Sequence, residues 1–254
     1  MKKIIDGFLL AIQFLTVIPY NKEVLFDEDR SRWTVKLFPA IGLISGLFVT
    51  LLYVLLVNFT NISSLFLTFF LLFIYLAFSG FLHLDGWMDC SDAFFSYQNK
   101  EKRVEIMSDS RVGAFAVISL VFLLGFRFLF MYESLLSSSF HFIFLLFIPI
   151  ISRFGLGVFL MKTPLAKQSG MAFAFKKGLS KADFYFYIIA FIIFVFVFSL
   201  FSTSFIILSV ASLLFLFFSK SFVIKHFGGI TGDTLGAYVE GKETFLWGII
   251  WLLL

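Results

Sequence analysis

Three aspartates, Asp85, Asp89 and Asp92, follow a long apolar stretch of the chain at regular intervals. Their spacing of i, i+4 and i+7 puts all three carboxylates on one face of an α-helix. Like charges this close repel one another unless a cation neutralises them. Carboxylate oxygens suit Mg²⁺ or Mn²⁺, which take a few of them together with phosphate oxygens of a substrate. We therefore predict a metal site here, with an ordinary solvated acidic face as the alternative.

A second polar segment closes the same loop, just before the next apolar stretch, and contains Asp109 and Arg111. Arg111 can bind a phosphate group through parallel hydrogen bonds, and Asp109 can orient Arg111 or join the metal site. An arginine at this position also commonly anchors a membrane span. We predict that both residues bind substrate.

A third segment, 228–240, is rich in glycine and contains Asp233. Glycines permit tight turns, and free backbone amides at the start of a helix attract anions. Asp233 is predicted to complete the metal site or to act as a base. Helix packing is the alternative role for the glycines. The predicted substrate contacts of this segment are Gly229, Thr231 and Gly232.

Two further residues stand out by position. Arg153 lies inside an apolar stretch, where a charge is costly unless it is paired or faces a polar cavity, so we expect it to face the aspartates and to bind phosphate. His83 borders the aspartates and is a candidate for substrate binding or proton transfer. A hydrogen-bonded structural role is equally compatible with its position.

The elements that carry these residues are predicted to be membrane spans. Of the 254 residues 60% are apolar and only 14% charged, and the mean hydropathy is +1.00. A soluble core of this size needs far more charge. Uncharged runs reach the roughly 20 residues that a spanning helix requires. The sequence thus predicts an all-α polytopic membrane protein, one catalytic domain over 1–254 with at least six spans, near 35–57, 64–82, 112–131, 140–161, 184–201 and 204–219.

The basic residues indicate how the spans are oriented. All but Arg127 and Arg153 of the 20 lysines and arginines lie in alternate connections, whereas 58–63, 132–139 and 202–203 contain none. The positive-inside rule places the basic segments in the cytoplasm; these are the N-terminal segment to Lys36, loop 84–111, loop 162–183 and the tail from Lys220. The net charge of +4 then reflects orientation, and we expect no nucleic-acid partner.

Two apolar segments are too short or too polar to assign as spans. Segment 4–20 carries Asp6 and Gln13, and we expect it to lie at the interface or to be re-entrant. Segment 244–254 could be half a span or the start of a truncated one. The oligomeric state cannot be deduced from these patterns.

Taken together, these motifs resemble the bacterial cobalamin synthase family. The resemblance runs through nearly the whole chain in the right order, and Lys167 stands where the family usually has arginine. It is carried by His83-Leu84-Asp85-Gly86 with Asp89 and Asp92, by Met107-Ser108-Asp109-Ser110-Arg111 with Gly113 and Phe115, by Gly229-Ile230-Thr231-Gly232-Asp233 with Gly236-Ala237, by Phe14-Leu15-Thr16 with Pro19, by Phe38-Pro39 with Gly42 and Gly46, and by Pro164 with Ala166-Lys167.

The resemblance implies a Mg²⁺-dependent transfer of cobinamide phosphate from adenosylcobinamide-GDP to α-ribazole or its 5'-phosphate, with release of GMP. This step completes the nucleotide loop of vitamin B12 at the cytoplasmic side of the bacterial inner membrane. It implies substrate binding by Lys167 and catalytic roles for Asp85, Asp89, Asp233 and His83. The metal ligands it implies are Asp85, Asp89, Asp92 and Asp233.

Two other functions fit parts of the pattern. A CDP-alcohol phosphotransferase also carries spaced aspartates at a membrane surface, but its motif has an Ala-Arg pair where this chain has Ala93 followed by Phe94. A cation transporter would place its carboxylates near the middle of the membrane. Here they cluster at the predicted cytoplasmic ends of spans, where a nucleotide substrate arrives.

Overall fold

The computed structural model describes residues 2–254 and folds them into helices, with no β-strand in that range. The described residues form twelve helices: α1 (Lys2–Leu15), α2 (Glu28–Lys36), α3 (Phe38–Phe59), α4 (Ser64–Phe78), α5 (Leu82–Phe95), α6 (Lys100–Ile106), α7 (Ala114–Leu136), α8 (Ile143–Lys162), α9 (Gly170–Lys177), α10 (Lys181–Ser199), α11 (Ser204–Phe227) and α12 (Gly232–Leu253).

Five of these helices, α3, α7, α8, α10 and α11, are long and apolar enough to cross a membrane. Helices α4 and α5 make a sixth span if the pair is counted as one, although it is bent by 88°. The predicted class, an all-α polytopic membrane protein, is confirmed. The predicted continuous span 64–82 is wrong, because the helix breaks after Phe78.

The break between α4 and α5 is built from two left-handed residues, Gly80 (φ 64°) and Phe81 (φ 59°). This region of backbone space is open to glycine but uncommon for phenylalanine. The segment that follows α1 contacts the end of α4 at this break, since the Val17 amide donates a hydrogen bond of 2.9 Å to the Phe78 carbonyl oxygen. The break thereby sets the direction of α5, the helix that carries the three aspartates.

Helices α8 and α12 form the centre of the bundle. Helix α8 is buried along most of its length, and it packs against α3, α10, α11 and α12. Gly42 and Gly46 of α3 let the backbones of α3 and α8 meet, since a Cβ at Gly42 would lie 2.4 Å from the Pro149 carbonyl oxygen. Helix α12 packs against α5, α7, α8 and α11. It therefore connects the aspartate helix to the membrane core.

Both ambiguous segments contain helix. Residues 4–15 of the first belong to α1, whose 14 residues are fewer than a span needs, and residues 16–20 are not helical. Helix α1 packs on α2 through the ion pair of Arg30 with Asp6 at 2.7 Å; an interfacial position for α1 stays a prediction. Segment 244–254 is the second half of α12, which begins at Gly232. Lys242, grouped above with the basic tail, is instead fully buried in that helix.

Candidate active site

The aspartate helix α5 and the start of α12 are in direct backbone contact. A Cβ at Gly86 of α5 would lie 2.6 Å from the Asp233 carbonyl oxygen. A Cβ at Gly236 of α12 would lie 3.1 Å from the Cα of His83. Small residues at both positions let the two helices approach closely. The packing role weighed for the glycines thus holds at Gly236, and it joins Asp233 to the first aspartate motif.

The predicted helical face of carboxylates is confirmed on α5. Asp85 is exposed, Asp89 and Asp233 are half-buried, and none of the three forms an ion pair among residues 2–254. The Asp233 carboxylate accepts a hydrogen bond of 3.2 Å from the Thr231 hydroxyl. Burial raises the pKa of Asp233 above its ordinary value. A carboxyl in this environment is better suited to accepting a proton than a fully solvated one.

The start of α12 is fixed by the glycine-rich turn before it. Helix α11 ends at Gly228 in the left-handed conformation (φ 78°). Thr231 and Thr234 cap α12 reciprocally, each side chain accepting from the backbone amide of the other. A Cβ at Gly229 would lie 2.4 Å from the Pro164 carbonyl oxygen, so only glycine fits beside the next loop. The turn therefore has no room for a side chain at position 229, whereas Gly232 is exposed beside Asp233.

Lys167 reaches the same place from the loop after α8. That loop pairs with the turn before α12, because the Ile230 amide donates to the Pro164 oxygen at 2.8 Å and the Ala166 amide donates to the Ile230 oxygen at 3.0 Å. The positive charge of half-buried Lys167 opposes the rise in the pKa of Asp233. The structure thus brings Lys167, Thr231 and Asp233 together, although the sequence separates Lys167 from them by more than sixty residues.

Asp92 has a structural role that its spacing did not reveal. One of its carboxylate oxygens accepts from the Gly113 amide, and the other accepts from the Ala116 amide at 2.8 Å. These amides open α7, where unpaired N–H groups need acceptors and the helix dipole favours a negative charge. Asp92 therefore ties α5 to the start of α7. Metal binding by Asp92 stays a prediction.

Asp109 and Arg111 bind each other at the protein surface. The Arg111 guanidinium forms hydrogen bonds of 3.0 and 3.1 Å to the two Asp109 carboxylate oxygens, and its side chain is 89% exposed. These bonds lower the pKa of Asp109 to about 2. Orientation of Arg111 by Asp109 matches the prediction, and phosphate binding by the pair stays a prediction.

His83 lies at the interface of α5 and α12. Its side chain is buried, and its Nε2 has no hydrogen-bond partner among residues 2–254. The backbone of His83 is the surface on which Gly236 packs. The structure therefore places His83 on the side of α5 that packs on α12. Its predicted part in catalysis stays a prediction.

Arg153 does not face the aspartates, contrary to expectation. Its guanidinium pairs with the Glu243 carboxylate and donates to the Tyr75 hydroxyl at 3.3 Å. The same Tyr75 hydroxyl donates to Glu243 at 3.0 Å. Because Arg153 lies deep in the bundle, the nearest carboxylate on its own level is on α12 rather than on α5.

A second buried arginine, Arg127, lies beside Arg153 and Glu243. Its ion pairs were not predicted from the sequence. Arg127 of α7 pairs with Glu240 at 2.7 Å and approaches Glu243 at 3.7 Å, and its Nε donates to Thr244 at 2.8 Å. Two arginines inside spans require partners, and the final segment offers Glu240 and Glu243, spaced i, i+3 on a helix, as acidic partners. That signal was available in the sequence.

The carboxylates present would fit a magnesium ion only together with further ligands from water or substrate. Among residues 2–254, no three His, Cys, Asp or Glu side chains converge closely enough to hold a metal alone. Mg²⁺ commonly binds through one or two carboxylates, several waters and substrate phosphates. Asp85, Asp89 and Asp233 offer oxygen ligands of that kind without competing ion pairs.

Comparison with known proteins adds independent evidence. An adenosylcobinamide-GDP ribazoletransferase of Geobacillus sp. (strain WCH70) is 44% identical, covering 100% of this chain and 98% of the relative. The enzyme of the same name from Geobacillus thermodenitrificans (strain NG80-2) is 42% identical, with 100% and 98% coverage. One from Clostridium botulinum (strain Okra / Type B1) is 33% identical, with 97% and 98% coverage.

No solved structure matches this chain. The family model described as cobalamin-5-phosphate synthase matches residues 7–251, which include every candidate site residue named above. The chain therefore belongs to the cobalamin-5-phosphate synthase family.

Proposed function

We propose that this protein transfers the cobinamide phosphate group of adenosylcobinamide-GDP to α-ribazole or α-ribazole 5'-phosphate. The products are GMP and adenosylcobalamin or its 5'-phosphate. The observation that carries the proposal is the contact between Gly86 of α5 and Asp233 of α12. This contact brings the two aspartate motifs together. The relatives named adenosylcobinamide-GDP ribazoletransferase match this chain over nearly their whole length.

The reaction is a displacement at phosphorus. A ribose hydroxyl oxygen forms a bond to the phosphorus that carries the cobinamide group, and the bond from that phosphorus to the bridging oxygen breaks. GMP leaves with the bridging oxygen, and the hydroxyl proton passes to a carboxylate. Such transfers depend mainly on positioning and on neutralising charge.

We assign proton acceptance to Asp233. Burial raises the pKa of its carboxyl group, and the Thr231 hydroxyl holds that carboxyl group in place. Lys167 supplies positive charge at the same position for a substrate phosphate. Gly229, Thr231 and Gly232 form the turn and helix start where an anion is favoured.

Asp85 and Asp89, with Asp233, are the residues that would hold Mg²⁺, or Mn²⁺ in its place. A bound divalent cation would neutralise charge on the pyrophosphate and on the departing GMP. Arg111 can bind a phosphate only if its hydrogen bonds to Asp109 break and are replaced by hydrogen bonds to that phosphate. His83 and Arg153 lie behind the reacting groups and support the helices that carry them. We place the site on the cytoplasmic side of the bacterial inner membrane, where nucleotides are available.

The test is nucleotide release by purified full-length protein in detergent or in vesicles. With adenosylcobinamide-GDP, α-ribazole and Mg²⁺, GMP and the ribazole-linked corrinoid should form in equal amounts. A chelator should stop the reaction, and excess Mg²⁺ should restore it. Release of CMP from a CDP-alcohol instead would support the phosphotransferase alternative, and ion flux without nucleotide release would support the transporter.

A further inference from the structure

A second site lies on the opposite face of α5 from the aspartates. A cavity of about 910 Å³ is bounded by α5, α7, α11 and α12. Helix α5 contributes Trp87, Cys90 and Phe94 to its wall. At 100° per residue these three side chains point roughly 160° away from Asp85 and Asp89. The cavity therefore lies on the other side of α5 from Asp85 and Asp89, and on α12 it extends to Thr234, the neighbour of Asp233.

The cavity is an apolar groove with one long side open. Phe122 and Phe126 of α7 and Phe218 of α11 line it, and these rings are 61%, 51% and 64% exposed. Since α7 and α11 both have the length and composition of membrane spans, the open side faces lipid hydrocarbon. On α11 the lining extends from Phe215 to Phe227, about 18 Å at 1.5 Å per residue. That length resembles one bilayer leaflet, about 15 Å of hydrocarbon.

One end of the groove is cationic. Lys225 and His226 line that end, and the Arg103 guanidinium lies 3.1 Å from His226 Nδ1. Arg103 Nε is buried and has no hydrogen-bond partner among the described residues. Lys225 is exposed and pairs with no acidic side chain in residues 2–254. The lining contains no aspartate or glutamate, so the end suits an anion.

We propose that this groove binds an anionic phospholipid of the surrounding bilayer. One acyl chain lies along the phenylalanine walls, and the phosphate lies at the end lined by Lys225 and His226, with Arg103 behind His226. A long apolar channel open to hydrocarbon with positive charge at one end matches a lipid in both shape and charge. A nucleotide substrate fits less well, because the aspartates that would bind its metal are on the far side of α5.

Trp87 provides a direct test, since it lines the groove and brominated acyl chains quench tryptophan fluorescence on contact. Full-length protein is placed in phosphatidylcholine vesicles that contain a small fraction of either brominated phosphatidylglycerol or brominated phosphatidylcholine. Subtracting the signal of Trp87→Phe isolates Trp87 from the other tryptophans. We expect Trp87 to prefer phosphatidylglycerol by about fivefold or more, because one cation near an anionic headgroup contributes about 1 kcal/mol.

Lys225→Gln should remove most of that preference. Lys220→Gln is the matched control, because it removes a charge from the same helix at a position outside the groove. Equal quenching of Trp87 by the two brominated lipids would contradict the proposal. So would an equal loss of the preference for phosphatidylglycerol in Lys225→Gln and Lys220→Gln. So would displacement of brominated phosphatidylglycerol by α-ribazole, which would assign the groove to a substrate. No turnover is measured, so the outcome is independent of the proposed reaction.

Discussion

Gly86 and Asp233 touch across the interface of α5 and α12, with 2.6 Å between a Cβ at position 86 and the Asp233 carbonyl oxygen. This contact joins motifs that lie more than a hundred residues apart in the sequence. It makes the distance between the carboxylates of α5 and Asp233 depend on the absence of a side chain at position 86.

Gly86→Ala should therefore reduce activity by moving Asp233 away from α5. We expect GMP release per folded molecule to fall at least about tenfold, since displacement of a catalytic group by about 1 Å can cost a hundredfold. Gly125→Ala is the control, because nothing lies within 4 Å of a Cβ at that position. Full activity in Gly86→Ala would show that the contact does not set the site geometry.

Asp89 and Asp92 should respond differently to substitution. Asp89→Asn should leave less than about a tenth of the activity with an unchanged melting temperature, because it removes a proposed metal ligand but no hydrogen bond. Asp92→Ala should lower stability by about 1 kcal/mol, the usual cost of losing a helix cap, since both its oxygens accept α7 amides.

Thermal unfolding and GMP release measured on the same detergent-purified samples separate these two effects. If Asp92→Ala kept its melting temperature and lost activity as completely as Asp89→Asn, Asp92 would belong with the metal ligands.

The buried pair of Arg153 and Glu243 should show strong coupling in a double-mutant cycle. Arg153→Met or Glu243→Gln alone should destabilise the protein by about 3–5 kcal/mol, because each leaves a charge or a polar partner unpaired in the core. The double variant should cost less than the sum of the two. Simple additivity in denaturant unfolding would mean that the pair does not interact.

The sequence was sufficient for those features that depend on local spacing. The helical face of Asp85, Asp89 and Asp92 follows from their intervals, and the span class follows from composition. The break at Gly80 and Phe81 could not be predicted, because phenylalanine rarely adopts a left-handed conformation and no proline marks the site.

Long-range partners were harder to assign. Arg153 was expected beside the aspartates because a charge inside a span needs a partner or a polar cavity, but its depth in the bundle pairs it with Glu243. Asp92 was predicted from its spacing to bind metal, and its contacts with the Gly113 and Ala116 amides at the start of α7 depend on which helices become neighbours. Which glycines serve packing likewise depends on which helices become neighbours.

Membrane orientation can be tested with single cysteines at Tyr97, Gln168 and Ser138. The native Cys90 is buried, so its background reaction should be low. Tyr97 and Gln168 are exposed in basic loops, whereas Ser138 is exposed in a loop without lysine or arginine. An impermeant thiol reagent outside intact cells should label only Ser138→Cys. Labelling of Gln168→Cys from outside would reverse the proposed orientation.

The most direct test of the shared site is the kinetics of Asp233→Asn. If Asp233 accepts the ribose proton and helps to hold the metal beside Asp85 and Asp89, its substitution should lower kcat at least about a hundredfold. The affinity for adenosylcobinamide-GDP should stay within a few-fold, because the interaction is made mainly in the transition state. Unchanged GMP release per folded molecule, accompanied only by a lower yield of inserted protein, would contradict the account.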